Sequence, residues 1–154
     1  MKKIATLLMT LFMVLFTACD KQIDTTISTL KVTPYNLEGT WRLAEWNGAP
    51  LAEGIYVYIV IDRDLTFDMY QNTNSMYAEL LTGTYKLEED WRVGFVISGT
   101  YDHELGAWNH EYVISELYRE SMTWTAKGDA GEVQKFVRID EVPDDIVESV
   151  RKAE

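Results

Sequence analysis

From Gly39 onward, apolar and polar residues alternate in short runs that turn residues interrupt. Eight such runs predict eight strands. The first is Gly39–Trp46, followed by the breaker Asn47-Gly48-Ala49-Pro50 and a loop reaching Gly54. In Ile55–Asp62 the period of two puts Ile55, Val57, Ile59 and Ile61 on one face, with Tyr56 and Tyr58 on the other. Asp62-Arg63-Asp64 turns the chain into Leu65–Gln71, where Leu65, Phe67 and Met69 alternate, and this pair reads as the clearest hairpin. Leu81–Glu88, Val93–Tyr101, Glu111–Arg119, Met122–Lys127 and Val133–Ile139 complete the set, with Asn72–Ala78 and Asp102–Asn109 as longer loops. The tail changes period. Pro143 suits a first helical position, Asp144 and Asp145 suit the positive end of the helix dipole, and Arg151 and Lys152 suit the negative end. Ile146, Val147 and Val150 form an apolar stripe, and so short a helix needs to dock on the β-structure to be stable.

The start of the chain follows another logic. Lys2 and Lys3 precede the apolar run Ile4–Phe16, which has 13 residues, and then come Thr17 and Ala18. A hydrocarbon core takes about 20 residues to cross, so the run reads as a signal peptide over residues 1–18. Cys19 is the single cysteine of the chain and cannot form an internal disulfide. Its place at the junction points to lipidation after cleavage, and Leu15-Phe16-Thr17-Ala18-Cys19 resembles a bacterial lipobox, with Phe16 where an aliphatic residue is usual. The expectation is a protein anchored in the cell envelope through Cys19, in the outer membrane of a Gram-negative bacterium. Residues 19–35, polar and rich in Thr and Ser, read as the tether, and residues 36–154 as one domain.

Charge narrows the partners. The chain carries a net −11, and removal of residues 1–18, which contain two lysines and no acid, takes it to −13. Such a domain repels nucleic acid and anionic lipid surfaces, so nucleic-acid binding is not expected. All five Trp and all nine Tyr lie in the mature part, which argues for a packed β-domain.

Gly39-Thr40-Trp41-Arg42-Leu43 is similar to the G-x-W signature that opens lipocalins. Leu65-Thr66-Phe67 with Tyr70, Gly83-Thr84-Tyr85, Tyr112-x-Ile114-x-x-Leu117 and Met122-x-Trp124 look like the bacterial lipocalin-like lipoproteins of the calycin group. The resemblance implies an all-β fold, an eight-stranded antiparallel up-and-down barrel with a short C-terminal α-helix. It also implies that Trp41 lies across the closed end, covered by a basic residue of the last strand, for which Arg138 is the match. This pair is structural. Whether Arg138 stacks on Trp41 or is simply a solvated strand residue is for the structure to decide.

Eight closed strands either fill their interior with side chains or hold one small ligand. Alternation points Leu43, Val57, Ile59, Phe67, Met69, Tyr85, Phe95, Ile97, Tyr112, Ile114 and Trp124 inward, a lining suited to a small apolar ligand. By analogy Trp46, Tyr77 and Trp108 supply an aromatic rim around the open mouth. The other reading is an interaction module with a solid core that meets a protein partner, inhibits an enzyme or stacks on a glycan. An interior void of ~300 Å³ or more would favour the container. No particular protein partner is implied.

Chemistry is otherwise sparse. His103 and His110 stand near Asp102, Glu104 and Glu111, yet their spacing matches no H-E-x-x-H pattern and a solvated acidic loop explains them. Ser98 and Ser115 lack the G-x-S-x-G elbow, and Gly39 to Gly54 holds no phosphate-binding loop. No enzyme, metal or cofactor is expected.

Overall fold

The computed structural model describes residues 28–152. Its strands are β1 (Gly39–Trp46), β2 (Ala49–Pro50), β3 (Val57–Ile61), β4 (Thr66–Gln71), β5 (Glu79–Asp90), β6 (Gly94–Tyr101), β7 (Tyr112–Ser115), β8 (Ser121–Ala126) and β9 (Val133–Ile139). Apart from the two-residue β2, which hangs from the end of β1, they run up and down in chain order. Pairing of β1 with β9, Trp41 opposite Arg138 and Leu43 opposite Phe136, closes the eight long strands into an antiparallel barrel. Closure removes the unpaired edges that an open sheet would expose.

Local chemistry sets the turns. Asn47 and Gly48 both adopt positive φ, 52° and 79°, and join Trp46 to the facing Ala49. This two-residue hairpin suits the right-handed twist of its strands, so the expected breaker carries a short ladder of its own. Leu65, expected to open a strand pointing inward, instead takes φ 73° in the turn after Asp62 and is 40% exposed. Asp64 accepts from both the backbone N–H and the hydroxyl of Thr66, which tightens that turn. Ile55 likewise falls outside the strand and is exposed, because β3 begins at Val57.

The closed end is built by the segment ahead of the barrel. Thr33 caps α1 (Pro34–Leu37), and Pro34 occupies its first turn, where the missing N–H costs nothing. Leu37 is fully buried, Leu30 and Val32 pack against the core, and the Leu30 N–H donates to the Leu117 carbonyl. The polar spacer expected up to residue 35 is therefore interrupted by apolar side chains that cover the barrel floor. The remaining helix, α2 (Asp144–Arg151), starts after Pro143, which stands at the N-cap rather than inside the first turn. Its Ile146, with Val142 and Val147, packs on Tyr56, Tyr58, Val60 and Tyr70 on the outside of β3 and β4, which gives the helix the apolar partner it needs.

The main core lies inside the barrel. Trp41, Ile59, Ile61, Phe67, Tyr85, Ile97, Leu117, Met122 and Trp124 are each at most 2% exposed. Their interlocked packing fills the closed end and the middle.

Candidate functional site

Three features of the backbone shape the open end. At β1 the register slips between Leu43 and Glu45. Leu43 points inward, and the extra residue turns Trp46 toward the mouth while Glu45 pairs with Lys135 at 3.3 Å. Between β6 and β7 only two residue pairs form, Val96 with Val113 and Ile97 with Tyr112. The loop after β6 mends the wall: Ala107 bridges Thr100, the Tyr101 N–H donates to Gly106, and the Trp108 N–H donates to Gly99. The third feature is Gly99, where a Cβ would fall inside the Trp108 ring, so only glycine lets the indole lie flat on the strand.

Trp108 is consequently a core residue rather than part of an exposed rim. It is 9% exposed and stacks edge-on against Phe67 at 5.0 Å and tilted against Trp124 at 5.5 Å between ring centroids. Trp124 in turn meets Tyr112 and Phe136. The loop composition gave no sign of this burial, since nothing in Asp102–Asn109 alternates. A large aromatic at the end of a loop next to a small strand residue was the available signal.

Above this aromatic floor lies a cavity of about 240 Å³. Leu43, Val57, Met69, Trp108, Trp124 and Phe136 supply its apolar surface, and Trp46 stands at its edge, 40% exposed. Polar groups complete the lining: Gln71, which is buried, with Asn74, Asn109, His110, Glu132 and Gln134. The Glu132 carboxylate organises the rim, accepting from Trp46 Nε1 at 2.6 Å, Asn47 Nδ2 at 3.2 Å and Gln134 Nε2 at 3.4 Å. Gln134 Nε2 also donates to the Tyr112 hydroxyl at 3.1 Å. Burial, helped by the negative charge of Glu132, pushes the Tyr112 phenol up against the opposing hydrogen bond from Gln134, and burial alone raises Tyr101. Both are neutral at physiological pH.

The residues expected inside divide by depth. Leu43, Val57, Met69, Tyr112 and Trp124 reach the cavity, whereas Ile59, Phe67, Tyr85, Ile97 and Ile114 are packed below or beside it. Phe95 belongs to neither group and is only half-buried near the start of β6. Tyr77, expected at the rim, is 76% exposed on the loop between β4 and β5 and does not line the cavity. The polar members, Gln71, Asn109, His110, Glu132 and Gln134, were not legible because they sit at strand ends or in the loop before β7, where alternation gives no direction. Cys19 lies outside the described residues.

The opposite end carries the expected aromatic–cation pair. The Arg138 guanidinium lies over the Trp41 ring at 4.0 Å, and Trp41 Nε1 donates to the Leu37 carbonyl at 2.8 Å. Burial lowers the arginine from its ordinary value, with Glu120 opposing. Among the described residues no three or more His, Cys, Asp or Glu side chains converge as a metal site would need. His103 is exposed, and His110 packs against Tyr112.

A closed eight-stranded barrel, plugged at one end and hollow at the other, defines a ligand-binding fold of the calycin type. The chain belongs to the lipocalin-like domain family, whose profile matches residues 37–124. No curated protein matches the chain. The matched stretch ends within β8, so Arg138 and the cavity residues Glu132, Gln134 and Phe136 lie beyond it. The family is in general a non-enzymatic binding fold.

Proposed function

We propose that this protein is a lipid-anchored binding protein of the bacterial cell envelope, which takes up a small, largely apolar molecule at the open mouth of its barrel without transforming it. The observation that carries the binding reading is the cavity of about 240 Å³ above the Trp108 and Trp124 rings. It falls short of the ~300 Å³ expected of a container, the lower end of the common range of small-molecule pockets, so the ligand is compact and sits at the mouth instead of running down the barrel axis. A water occupies ~30 Å³ of liquid, which makes the space equal to about eight waters. The signal-like start and Cys19 support the anchor.

The test of binding is native mass spectrometry of the protein purified gently from envelope fractions. A reproducible small adduct, lost when Leu43 and Val57 are both replaced by Trp, supports the reading. A bare mass under every mild condition, with no apolar probe bound, would overturn it. Anchoring is checked by metabolic labelling with palmitate, where Cys19→Ser should lose both the label and the membrane association.

Solid packing below the cavity supports the second reading, an interaction module. Met76, 92% exposed, and Tyr77 beside it form an apolar loop tip of the kind that meets a protein surface.

A further inference from the structure

Six aromatic side chains line the mouth cavity: Trp46, Tyr101, Trp108, Tyr112, Trp124 and Phe136. An aromatic ring is negative over its face and positive at its edge, so a group of rings attracts a cation laid against their faces and gives an anion nothing comparable. Trp46 stands at the opening, 40% exposed, and its positive N–H edge is already engaged by the Glu132 carboxylate at 2.6 Å.

The fixed charge of the lining has the same sign. Glu132 is its acid, and among the described residues no lysine or arginine lines the cavity. The carboxylate accepts from Trp46, Asn47 and Gln134, all neutral donors, and no described cation forms an ion pair with it. Lys135 is engaged by Glu45 at 3.3 Å, and Lys127 by Asp90 and Glu111 at 3.3 and 3.4 Å. His110, the one basic side chain of the lining, packs against the Tyr112 ring. Glu132 thus leaves a negative charge at the mouth that no described side chain neutralises, in a chain that carries −11 overall. An anion entering here would lose hydration and find no partner for its charge.

We infer that the mouth cavity selects a compact organic cation, an ammonium ion whose nitrogen carries alkyl groups, held among the aromatic side chains beside Glu132. This inference rests on the mouth cavity being the ligand site, and it names the ligand class. Alkylation matters because an ionised carboxylate has about four acceptor positions, and three donors already occupy those of Glu132. A primary ammonium, a compact and strongly hydrated charge, would have to displace one of them to replace its lost water. A methylated nitrogen needs no acceptor and presents its charge through an apolar surface that the rings can cover. At interior packing density the cavity takes up to roughly ten non-hydrogen atoms, enough for such an ion with a short substituent.

The test compares probes of nearly equal shape: choline, 3,3-dimethyl-1-butanol, in which carbon replaces the charged nitrogen, and the 3,3-dimethylbutanoate anion. The purified protein is titrated with each, and binding is read from the Met69 methyl and Trp46 indole N–H resonances. Choline should bind about tenfold more tightly than the alcohol, with the carboxylate weakest. Glu132→Gln should reduce that preference to about threefold, the part the rings supply, and leave the affinity for the alcohol unchanged. A purely structural role for Glu132 would instead weaken both probes alike. Should the variant fail to fold, the comparison of probes on the native protein decides alone. The alcohol binding as tightly as choline, with Met69 shifting, overturns the selection for a cation and leaves the cavity reading standing. The carboxylate binding as well as choline overturns it too. Ethanolamine matching choline overturns the requirement for an alkylated nitrogen. Failure of every probe to shift Met69 overturns the cavity reading and this inference with it.

Discussion

Arg138 and Trp41 face each other across the seam that closes the barrel, guanidinium to ring centroid 4.0 Å, on directly paired residues of β9 and β1. The arginine does more than cover the ring. Its Nε donates to the Arg119 carbonyl at 2.7 Å, Nη1 to Glu38 at 2.6 Å and Nη2 to Asn36 at 3.0 Å. One side chain thereby joins α1, the loop before β8, the start of β1 and the last strand.

Replacing Arg138 by Ala should cost about 2–4 kcal/mol of stability, since three carbonyls lose a charged donor and the indole loses its cation. Arg138→Lys should recover only part of this, because an ammonium cannot donate along three directions of a planar fork. Urea unfolding followed by tryptophan fluorescence measures both. A loss below about 0.5 kcal/mol for the alanine variant would show the seam to be held by the strands alone.

Gly39 is the glycine of G-x-W for a reason visible only in three dimensions. Its φ is 135°, and a Cβ there would collide with Arg138 Nη1. Gly39→Ala should therefore destabilise by about 1–3 kcal/mol through backbone strain, plus the displacement of the guanidinium. The two parts separate in a double-mutant cycle: in an Arg138→Ala background the same change should cost less. Additive costs would exclude the collision as a source of the effect.

Gly99→Ala should push the Trp108 indole off its seat and lose about 1–3 kcal/mol, the usual range for overpacking. The Trp108 ring packs against Phe67 and Trp124, so near-ultraviolet circular dichroism from these coupled aromatics should weaken at the same time. An unchanged aromatic spectrum together with native stability would place the indole elsewhere.

Tyr85 makes stability depend on alkaline pH. Its hydroxyl donates to the Asp62 carbonyl at 2.9 Å, and its pKa is raised to about 12, by burial first and then by the charges of Asp64, Asp62 and Glu38. An unfolded tyrosine ionises near 10, so between pH 10 and 12 the folded state holds the proton that the unfolded state has lost. The contribution is complete below pH 10 and disappears as pH rises through 12. Its size is about 3 kcal/mol at most. Denaturant titrations from pH 8 to 12 should show a steeper loss in the native protein than in Tyr85→Phe. Parallel curves would mean that other groups cause the alkaline loss.

Much of the architecture could be read along the chain because strands buried on one face repeat every two residues. Val57, Ile59 and Ile61 announced their inward face, as did Phe67, Ile97, Ile114 and Trp124. Where that regularity stops, the reading stopped as well. Leu65 has the composition of a strand residue and the backbone of a turn, and Trp108 lies in a polar loop whose backbone replaces a missing stretch of ladder. Trp46 reaches the cavity because a bulge shifts the register of β1, and no property of Ala44 or Glu45 signals it.

The amino-acid order by itself determined the number and sequence of the long strands, the docked C-terminal helix and the large negative charge. These follow from periodicity, turn chemistry and counting, which act over a few residues at a time. How much of the barrel is hollow depended on the tertiary structure. That quantity is a small difference between the volume the wall encloses and the volume its side chains occupy, and a single ring can reverse it. Here Trp108, folded in over the bare backbone of Gly99, fills the middle and leaves the open space at the mouth.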